Sequence, residues 1–194
     1  MKIVGVTYYD GCENVVLKSD SSMLVNRKPL FLPEATGDLQ ALPCWVLRVS
    51  RLGRSIAPRF AARYYDAVAP GMDFFAADLL RQAKSRGASW TEAVAFENSL
   101  AIGAWQLVKD GSLPIVCSEW SVARGGNRVG QAVSAPLETG QAFADAVARV
   151  SDLVTIRQGD LIYIACRQTP WQLQVEDIVR CTSGEEETLY CKIK

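Results

Sequence analysis

Apolar residues in this chain occur in short runs of strand length, separated by glycine, proline, asparagine and aspartate. The clearest run is Cys44–Val49, which is rich in β-branched and aromatic side chains, follows Pro43 and ends before Leu52-Gly53. Comparable runs lie at Lys2–Thr7, Asp160–Ala165, Val175–Cys181 and Leu189–Ile193. A further pair, Leu113–Val122 and Val129–Ala135, flanks a glycine-rich turn at Arg124–Asn127 that is typical of a hairpin.

Three modest helices are predicted between these strands. Ala57–Val68 has Pro58 in its first turn and apolar residues at helical spacing. Ala76–Arg86 ends before Gly87, a favourable residue at the end of a helix, and Gln141–Ser151 is the third. Strands mixed with a few helices, rather than alternating with them, indicate an α+β fold. The length of 194 residues fits one domain over 1–194.

The chain contains no histidine, which excludes imidazole-dependent triads, dyads and metal sites. Lysine plus arginine and aspartate plus glutamate both number 21, and no basic run indicates a nucleic-acid partner. No apolar run approaches the ~20 residues that span a bilayer, and the start lacks the features of a signal peptide. We therefore expect a soluble cytoplasmic protein that associates with neither nucleic acid nor membrane.

Six cysteines are spread along the sequence, and no two have C-x-x-C spacing. A zinc ribbon or thioredoxin motif is therefore not indicated. In a reducing compartment most of these cysteines would be small buried hydrophobes, although spacing alone leaves disulfides open.

Several stretches resemble motifs of the fumarylacetoacetate hydrolase family, in order along nearly the whole chain. Val16–Leu24 is similar to F-x-K-P-x-S-x-L, with Ser19 in place of the proline. Arg48–Ile56 resembles R-I-x-R-x-G-K-x-I. The remaining matches are Tyr65–Val68 with Gly71–Leu79, which resemble Y-I-x-G-x-D-x-T-A-R-D-x-Q, and Thr155–Ile162, which resembles T-L-x-P-G-D-L-I.

This resemblance implies a highly twisted mixed β-sheet of the roll or sandwich type, with short helices around it and usually a homodimer. It also implies a Mg²⁺ or Mn²⁺ site made of two glutamates in E-x-E and the aspartate of G-x-D, where the metal holds a 2-oxo acid. The glutamate positions fall on Leu42 and Cys44, and only Asp73 matches. Leucine cannot bind a metal, and a thiolate is too soft for Mg²⁺. No cofactor is therefore expected.

Other positions that the family uses have also changed. The arginine of A-R-D corresponds to Ala77, and the lysine before x-F-D corresponds to Val94. Ile164–Arg167 replaces the T-G-T-P loop that holds the substrate carboxylate, and the N-terminal histidine has no counterpart near Tyr8–Asn14. Metal, substrate and base positions are thus all altered.

The surviving candidates each have a simpler interpretation. Asp73 is either a residual ligand or a turn residue, and Cys44 is either a nucleophile or a small buried hydrophobe. Lys18 and Arg167 either bind a small carboxylate in the old pocket or form surface salt bridges. Glu97 is a further weak catalytic candidate.

These observations favour a catalytically inactive member of the family with a binding or assembly role. The alternative is an active, divergent hydrolase, decarboxylase or isomerase of 2-oxo acids such as acylpyruvates. It would use Mg²⁺ or Mn²⁺ or a site rebuilt from Asp73, Glu97, Cys44 and Arg167. A third possibility is an inactive subunit that pairs with an intact paralogue.

Overall fold

The computed structural model of the protein describes residues 1–108, 118–134 and 136–194. The described strands are β1 Ile3–Thr7, β2 Asn14–Lys18, β3 Met23–Val25, β4 Leu39–Val49, β5 Tyr65–Ala76, β6 Leu100–Ile102, β7 Gln106–Leu107, β8 Ser118–Arg124, β9 Asn127–Ser134, β10 Leu161–Ala165, β11 Trp171–Gln172, β12 Ile178–Ser183 and β13 Glu186–Lys192. The α-helices are α1 Ala77–Ser85, α2 Thr91–Val94 and α3 Pro136–Leu153, and short 3₁₀ helices cover Asp20–Ser22 and Pro58–Arg63.

The larger sheet has the order β2-β1-β10-β4-β5-β6-β3, with β11 and β7 added at β4 and β5. The long antiparallel pair of β4 and β5 forms its centre, and β1 and β10 run parallel. In this order β1 and β5 are separated by two strands, yet the Thr7 hydroxyl donates a hydrogen bond to Asp73 at 3.1 Å. The sheet is therefore strongly curled, and its concave side is called the inner face below.

Alternation along β4 assigns its residues to two faces. Leu42 and Cys44 lie on the inner face and belong to the core cluster that also contains Tyr163 and Phe75. Trp45 lies on the opposite, outer face, in the cluster that contains Phe143 of α3. Helices α1 and α2 pack over the inner cluster.

The outer face is covered by α3 and by a second sheet of order β13-β12-β8-β9. Trp120 of β8 packs edge-on against Trp45, with ring centroids 5.1 Å apart, and its indole N–H donates to the carbonyl of Gly71 at 3.0 Å. Such a pair with a satisfied N–H fixes the second sheet on β4 and β5.

The expected α+β fold with a highly twisted mixed sheet is confirmed. The predicted strands at Lys2–Thr7, Cys44–Val49 and Asp160–Ala165 correspond to β1, β4 and β10. The hairpin is also confirmed, since Gly125 and Gly126 adopt φ of 56° and 86° between β8 and β9. The first part of the predicted strand Leu113–Val122 lies outside the described residues, and a single domain over 1–194 stays a prediction.

The helix predicted at Ala57–Val68 is wrong. A 3₁₀ helix ends at Arg63, and the chain then continues as β5 through Pro70-Gly71, where a break was expected. The reason is that β5 pairs with β4 along its length, so that Val68 lies opposite Leu47 and Gly71 lies opposite Cys44. Sheet pairing over eleven residues of β4 outweighs a weak helical periodicity.

The other two predicted helices are confirmed as α1 and α3, with α3 longer than expected. In the part of the chain that the structure describes, no helix is both long and apolar enough to cross a bilayer.

Candidate functional site

The centre of the inner face is an enclosed ion pair. The Lys18 ammonium lies 2.7 Å from Asp73 Oδ1, and both side chains are 0% exposed. The same ammonium donates to the carbonyl of Ser99 at 2.9 Å and to its hydroxyl at 3.1 Å. Thr7 donates to the second carboxylate oxygen of Asp73. The curl of the sheet makes this possible, because it brings β2 across the concavity to β5.

Burial dominates the electrostatics of the pair. It raises the pKa of Asp73, an effect that the Lys18 ammonium opposes, and it lowers the pKa of Lys18. The phenol oxygens of Tyr9 and Tyr163 lie 3.2 Å apart beside the pair, and burial raises the pKa of both well above the ordinary value. Lys18 also lies 5.5 Å from the Tyr163 ring centroid. The charges of Lys18 and Asp73 are therefore paired with each other, and hydrogen bonds within the protein satisfy both groups.

The two positions that the sequence aligned with metal-binding glutamates lie on this same face. Leu42 is directly opposite Asp73 in the β4–β5 register, and Cys44 is opposite Gly71. Both are fully buried. Burial, followed by the charge of Asp73, raises the pKa of the Cys44 thiol well above its ordinary value, so it stays protonated.

These residues do not fit a Mg²⁺ or Mn²⁺ ion. Such a cation needs several oxygen ligands, and here one carboxylate is already bound to an ammonium while a leucine faces it. Among the described residues, no group of three or more His, Cys, Asp or Glu side chains is placed to hold a metal.

The structure separates the other predicted site residues. Glu97 is exposed in the segment before β6, and Arg167 is exposed after β10, whereas Asp73 and Cys44 are enclosed. Lys18 and Arg167 were predicted to share one pocket, but Lys18 is buried and Arg167 is exposed. Lys18 does form a salt bridge, but a buried one rather than the surface one considered as an alternative.

The five described cysteines are free thiols. Cys44 and Cys166 lie near each other at the end of β10, where the Cys166 amide donates to the carbonyl of Pro43 at 2.7 Å. Burial raises the pKa of Cys166 to about 12. The sixth cysteine, Cys117, lies outside the described residues.

A groove on the outer face was not predicted from the sequence. A cavity of about 620 Å³ lies between the end of β10, α3 and β9, and Trp45, Phe143 and Arg167 are among its lining residues. The alternation of β4 placed Trp45 on the face opposite Cys44, but the sequence carried no sign of the distant strand and helix that complete the groove.

No family model and no curated protein matches the chain. Solved structures do resemble it. A Burkholderia cenocepacia protein assigned as a fumarylpyruvate hydrolase has a TM-score of 0.83 at 21% identity, covering 100% of this chain and 88% of that one. Fumarylpyruvate hydrolase from Pseudomonas aeruginosa, solved with Mn²⁺ and pyruvate, has a TM-score of 0.79 at 17% identity, covering 99% and 88%.

A protein from Yersinia pestis assigned to the fumarylacetoacetate hydrolase family has a TM-score of 0.80 at 16% identity, covering 100% of this chain and 93% of that one. The resemblance found in the sequence motifs is thus confirmed at the level of the fold.

Proposed function

We propose that this chain, which has the fold of the fumarylacetoacetate hydrolase family, is a divergent and non-catalytic member of that family with a binding or assembly role. One observation carries the proposal. The carboxylate of Asp73, the single matching metal ligand, is enclosed and bound at 2.7 Å by the Lys18 ammonium. A single enclosed carboxylate does not supply the several oxygen ligands that a Mg²⁺ or Mn²⁺ ion needs.

The surrounding residues support the same conclusion. Leu42 opposite Asp73 supplies no oxygen, and the thiol of Cys44 is held in its protonated form. The positions that correspond to the family arginine and lysine, Ala77 and Val94, are buried and apolar.

The alternative is an active, divergent enzyme that acts on 2-oxo acids. Its support is the fold shared with a fumarylpyruvate hydrolase that was solved with Mn²⁺ and pyruvate. Such an enzyme would have to bring solvent and substrate to Asp73 and Cys44, both fully buried, and to use the exposed Glu97 or Arg167 in the same reaction. The burial of Asp73 makes this the less supported proposal.

The assembly role would be carried by a homodimer or by a heteromer with an intact paralogue. Trp105 and Leu107, in and next to the short strand β7, are 38% and 58% exposed and offer an apolar contact at the larger sheet. Light scattering of the purified chain, alone and mixed with such a paralogue, distinguishes a monomer, a homodimer and a mixed complex. A strict monomer in both samples would contradict the assembly role.

The proposed loss of catalysis is tested by calorimetric titration with Mn²⁺ in the presence of oxalate, a stand-in for a 2-oxo acid. We expect no binding heat at millimolar metal. In parallel, we expect the absorbance of an acylpyruvate to stay constant when the protein and Mg²⁺ or Mn²⁺ are added. One metal site per chain, or metal-dependent loss of the acylpyruvate, would overturn the proposal and favour the enzyme.

A further inference from the structure

The loop after β4 and the 3₁₀ helix that follows it carry a concentration of arginine. Between Ser50 and Tyr64 the sequence holds four arginines and neither aspartate nor glutamate. A fifth arginine lies beside this loop, because Ile156 and Gly53 exchange backbone hydrogen bonds at 2.9 and 3.0 Å and Arg157 follows Ile156. All five residues are exposed. They are called the arginine surface below: Arg51, Arg54, Arg59, Arg63 and Arg157.

The backbone beneath these arginines is fixed on the outer face. Ile56 and Ala61 are buried in the core cluster of that face. The amides of Ser55 and Ile56 donate to the carbonyl and to the hydroxyl of Ser151 on α3, at 3.0 and 2.9 Å. Ser55 adopts φ of 49°, a left-handed conformation that a residue other than glycine keeps only when its surroundings determine it. The arginine surface is therefore presented by an ordered segment.

Two of the guanidinium groups share one aromatic ring. The central guanidinium carbons of Arg59 and Arg63 lie 4.8 and 4.9 Å from the Phe60 ring centroid. This cation–π contact restricts the orientation of both forks but leaves their charge uncompensated. Like charges held close together repel each other, and an anion bound beside them offsets that repulsion. The pair is therefore suited to an anionic partner.

The arginine surface lacks internal counter-ions in the part of the chain that the structure describes. None of its five arginines forms an ion pair there. Exposed arginines elsewhere do form such pairs, among them Arg27, Arg81 and Arg128. Basic and acidic residues are equal in number over the whole sequence. The unpaired cations therefore reflect their placement rather than a basic composition.

We propose that the arginine surface binds an acidic segment of a partner protein. The carboxylates of that segment lie at the guanidinium forks, because a fork matches a carboxylate through two parallel hydrogen bonds. An apolar side chain of the segment packs beside them against Leu52 and Phe60, which are 69% and 36% exposed. This inference gives the proposed binding role its class of partner and rests on that role.

The composition of the surface favours a protein over a nucleic acid or a membrane. Protein interfaces are enriched in arginine and aromatic residues and depleted in lysine. The five cations here are all arginine, and Phe60 lies among them. The chain as a whole carries no net charge, so it lacks the long-range attraction that draws basic proteins to extended polyanions.

The test is fluorescence anisotropy of a labelled peptide, Glu-Glu-Leu-Glu-Glu-Leu-Glu-Glu, titrated with the full chain at about 50 mM salt, where exposed charges are weakly screened. The same peptide with glutamine in place of glutamate is the neutral probe. We expect the acidic peptide to bind at least about tenfold more tightly, since its hydrogen bonds to guanidinium are charge-assisted. Salt at about 0.5 M should remove most of this preference.

Three double variants locate the binding surface. Arg59→Gln/Arg63→Gln should weaken binding of the acidic peptide by about tenfold or more, because it removes the two forks on Phe60. Lys28→Gln/Arg86→Gln is the matched control, since it removes two exposed cations outside the arginine surface and should leave binding unchanged. Arg59→Lys/Arg63→Lys keeps the charge but not the forks, and should weaken binding about threefold or more.

Equal binding of the two peptides, no binding at about 1 mM, equal losses in the two glutamine variants, or full binding by the lysine variant would overturn the proposal. Tighter binding of a short oligothymidylate or of phosphatidylserine vesicles than of the acidic peptide would overturn the assignment to a protein. Mn²⁺-dependent turnover with intact peptide binding would overturn only the loss of catalysis. A mixed complex in light scattering without peptide binding would overturn only the placement of the partner on this surface.

Discussion

The ammonium of Lys18 on β2 and the carboxylate of Asp73 on β5 form an ion pair 2.7 Å long inside the curled sheet, with neither side chain reaching solvent. Removing two charges from water is costly, and their attraction offsets that cost only when hydrogen bonds satisfy both groups. Ser99 and Thr7 supply those bonds here. The pair is therefore strongly coupled, and each partner depends on the other.

Lys18→Met should destabilise the protein by about 3–5 kcal/mol, because it leaves the buried Asp73 carboxylate unpaired. The double variant Lys18→Met/Asp73→Leu should regain most of that loss, since it removes both charges. Urea unfolding of the wild type, both single variants and the double variant gives the coupling free energy.

The exposed pair Arg128–Glu119, 2.6 Å long, is the matched control. Arg128→Met should change the free energy of unfolding by less than about 1 kcal/mol. If the losses of unfolding free energy in the two single variants simply add up in the double variant, the description of Lys18 and Asp73 as a coupled buried pair is wrong.

Introducing carboxylates beside Asp73 on the inner face should create a metal response. In Leu42→Glu/Cys44→Glu three carboxylates share the inner face, so 1 mM Mn²⁺ should raise the unfolding temperature by about 5 °C, as expected for a site saturated well above its Kd. The wild type should not respond. Thermal unfolding with and without Mn²⁺ provides the measurement.

Leu42→Gln/Cys44→Gln controls for size and polarity, because it places neutral amides at the same positions. It should not respond to Mn²⁺. A response equal to that of the glutamate variant, or none in either, would show that these positions do not correspond to metal ligands.

Asp160 should make stability depend on pH. It accepts hydrogen bonds from the backbone amides of Lys2 at 3.0 Å and Arg157 at 2.8 Å. Burial raises the pKa of Asp160, but the Lys2 and Arg157 contacts outweigh it and leave the pKa below its ordinary value. A lowered pKa in the folded state means stabilisation that is present above the unfolded pKa of about 3.9 and is lost as pH falls through the folded value.

Asp160→Asn should therefore cost about 1–3 kcal/mol at pH 7 and clearly less at pH 2.5. Urea unfolding at the two pH values measures the difference. Asp20→Asn, at an exposed aspartate, should cost little at either pH. If Asp160→Asn lowers the free energy of unfolding equally at both pH values, the charge of the Asp160 carboxylate contributes nothing to stability.

The thiols should differ in reactivity according to burial. Cys12 is exposed, whereas burial raises the pKa of Cys166 and Cys181 to about 12 and that of Cys191 to about 11. A pulse of iodoacetamide at pH 8, read by peptide mass spectrometry, should label Cys12 roughly a hundredfold faster than Cys166, because the thiolate is the nucleophile. Equal labelling rates in urea are the control. Native Cys166 labelling as fast as Cys12 would contradict the burial of the Cys166 thiol.

The sequence predicted those parts of the fold that depend on local patterns. Short β-branched runs such as Cys44–Val49 and the Gly125-Gly126 turn are recognisable without tertiary information. The segment Ala57–Val68 was predicted wrongly because Phe60, Tyr64 and Val68 recur at helical spacing, while the pairing that makes β5 a strand lies in the distant β4. A local pattern cannot contain that pairing.

For the site, motif spacing predicted that Leu42 and Cys44 share a location with Asp73, and the β4–β5 register places all three on one face. The pairing of Lys18 with Asp73 was not predicted, because it arises from curvature that brings β2 over β5. The groove was not predicted for a similar reason, since its lining residues come from segments that are remote in sequence.

The alternation of β4 has an evolutionary consequence. Successive residues of one strand, Cys44 and Trp45, belong to the inner and the outer core cluster, respectively. Substitutions at every second position can therefore alter one face of the sheet while the packing of the other face is retained. A single strand thus lets the two sides of the sheet diverge in chemistry on an unchanged backbone.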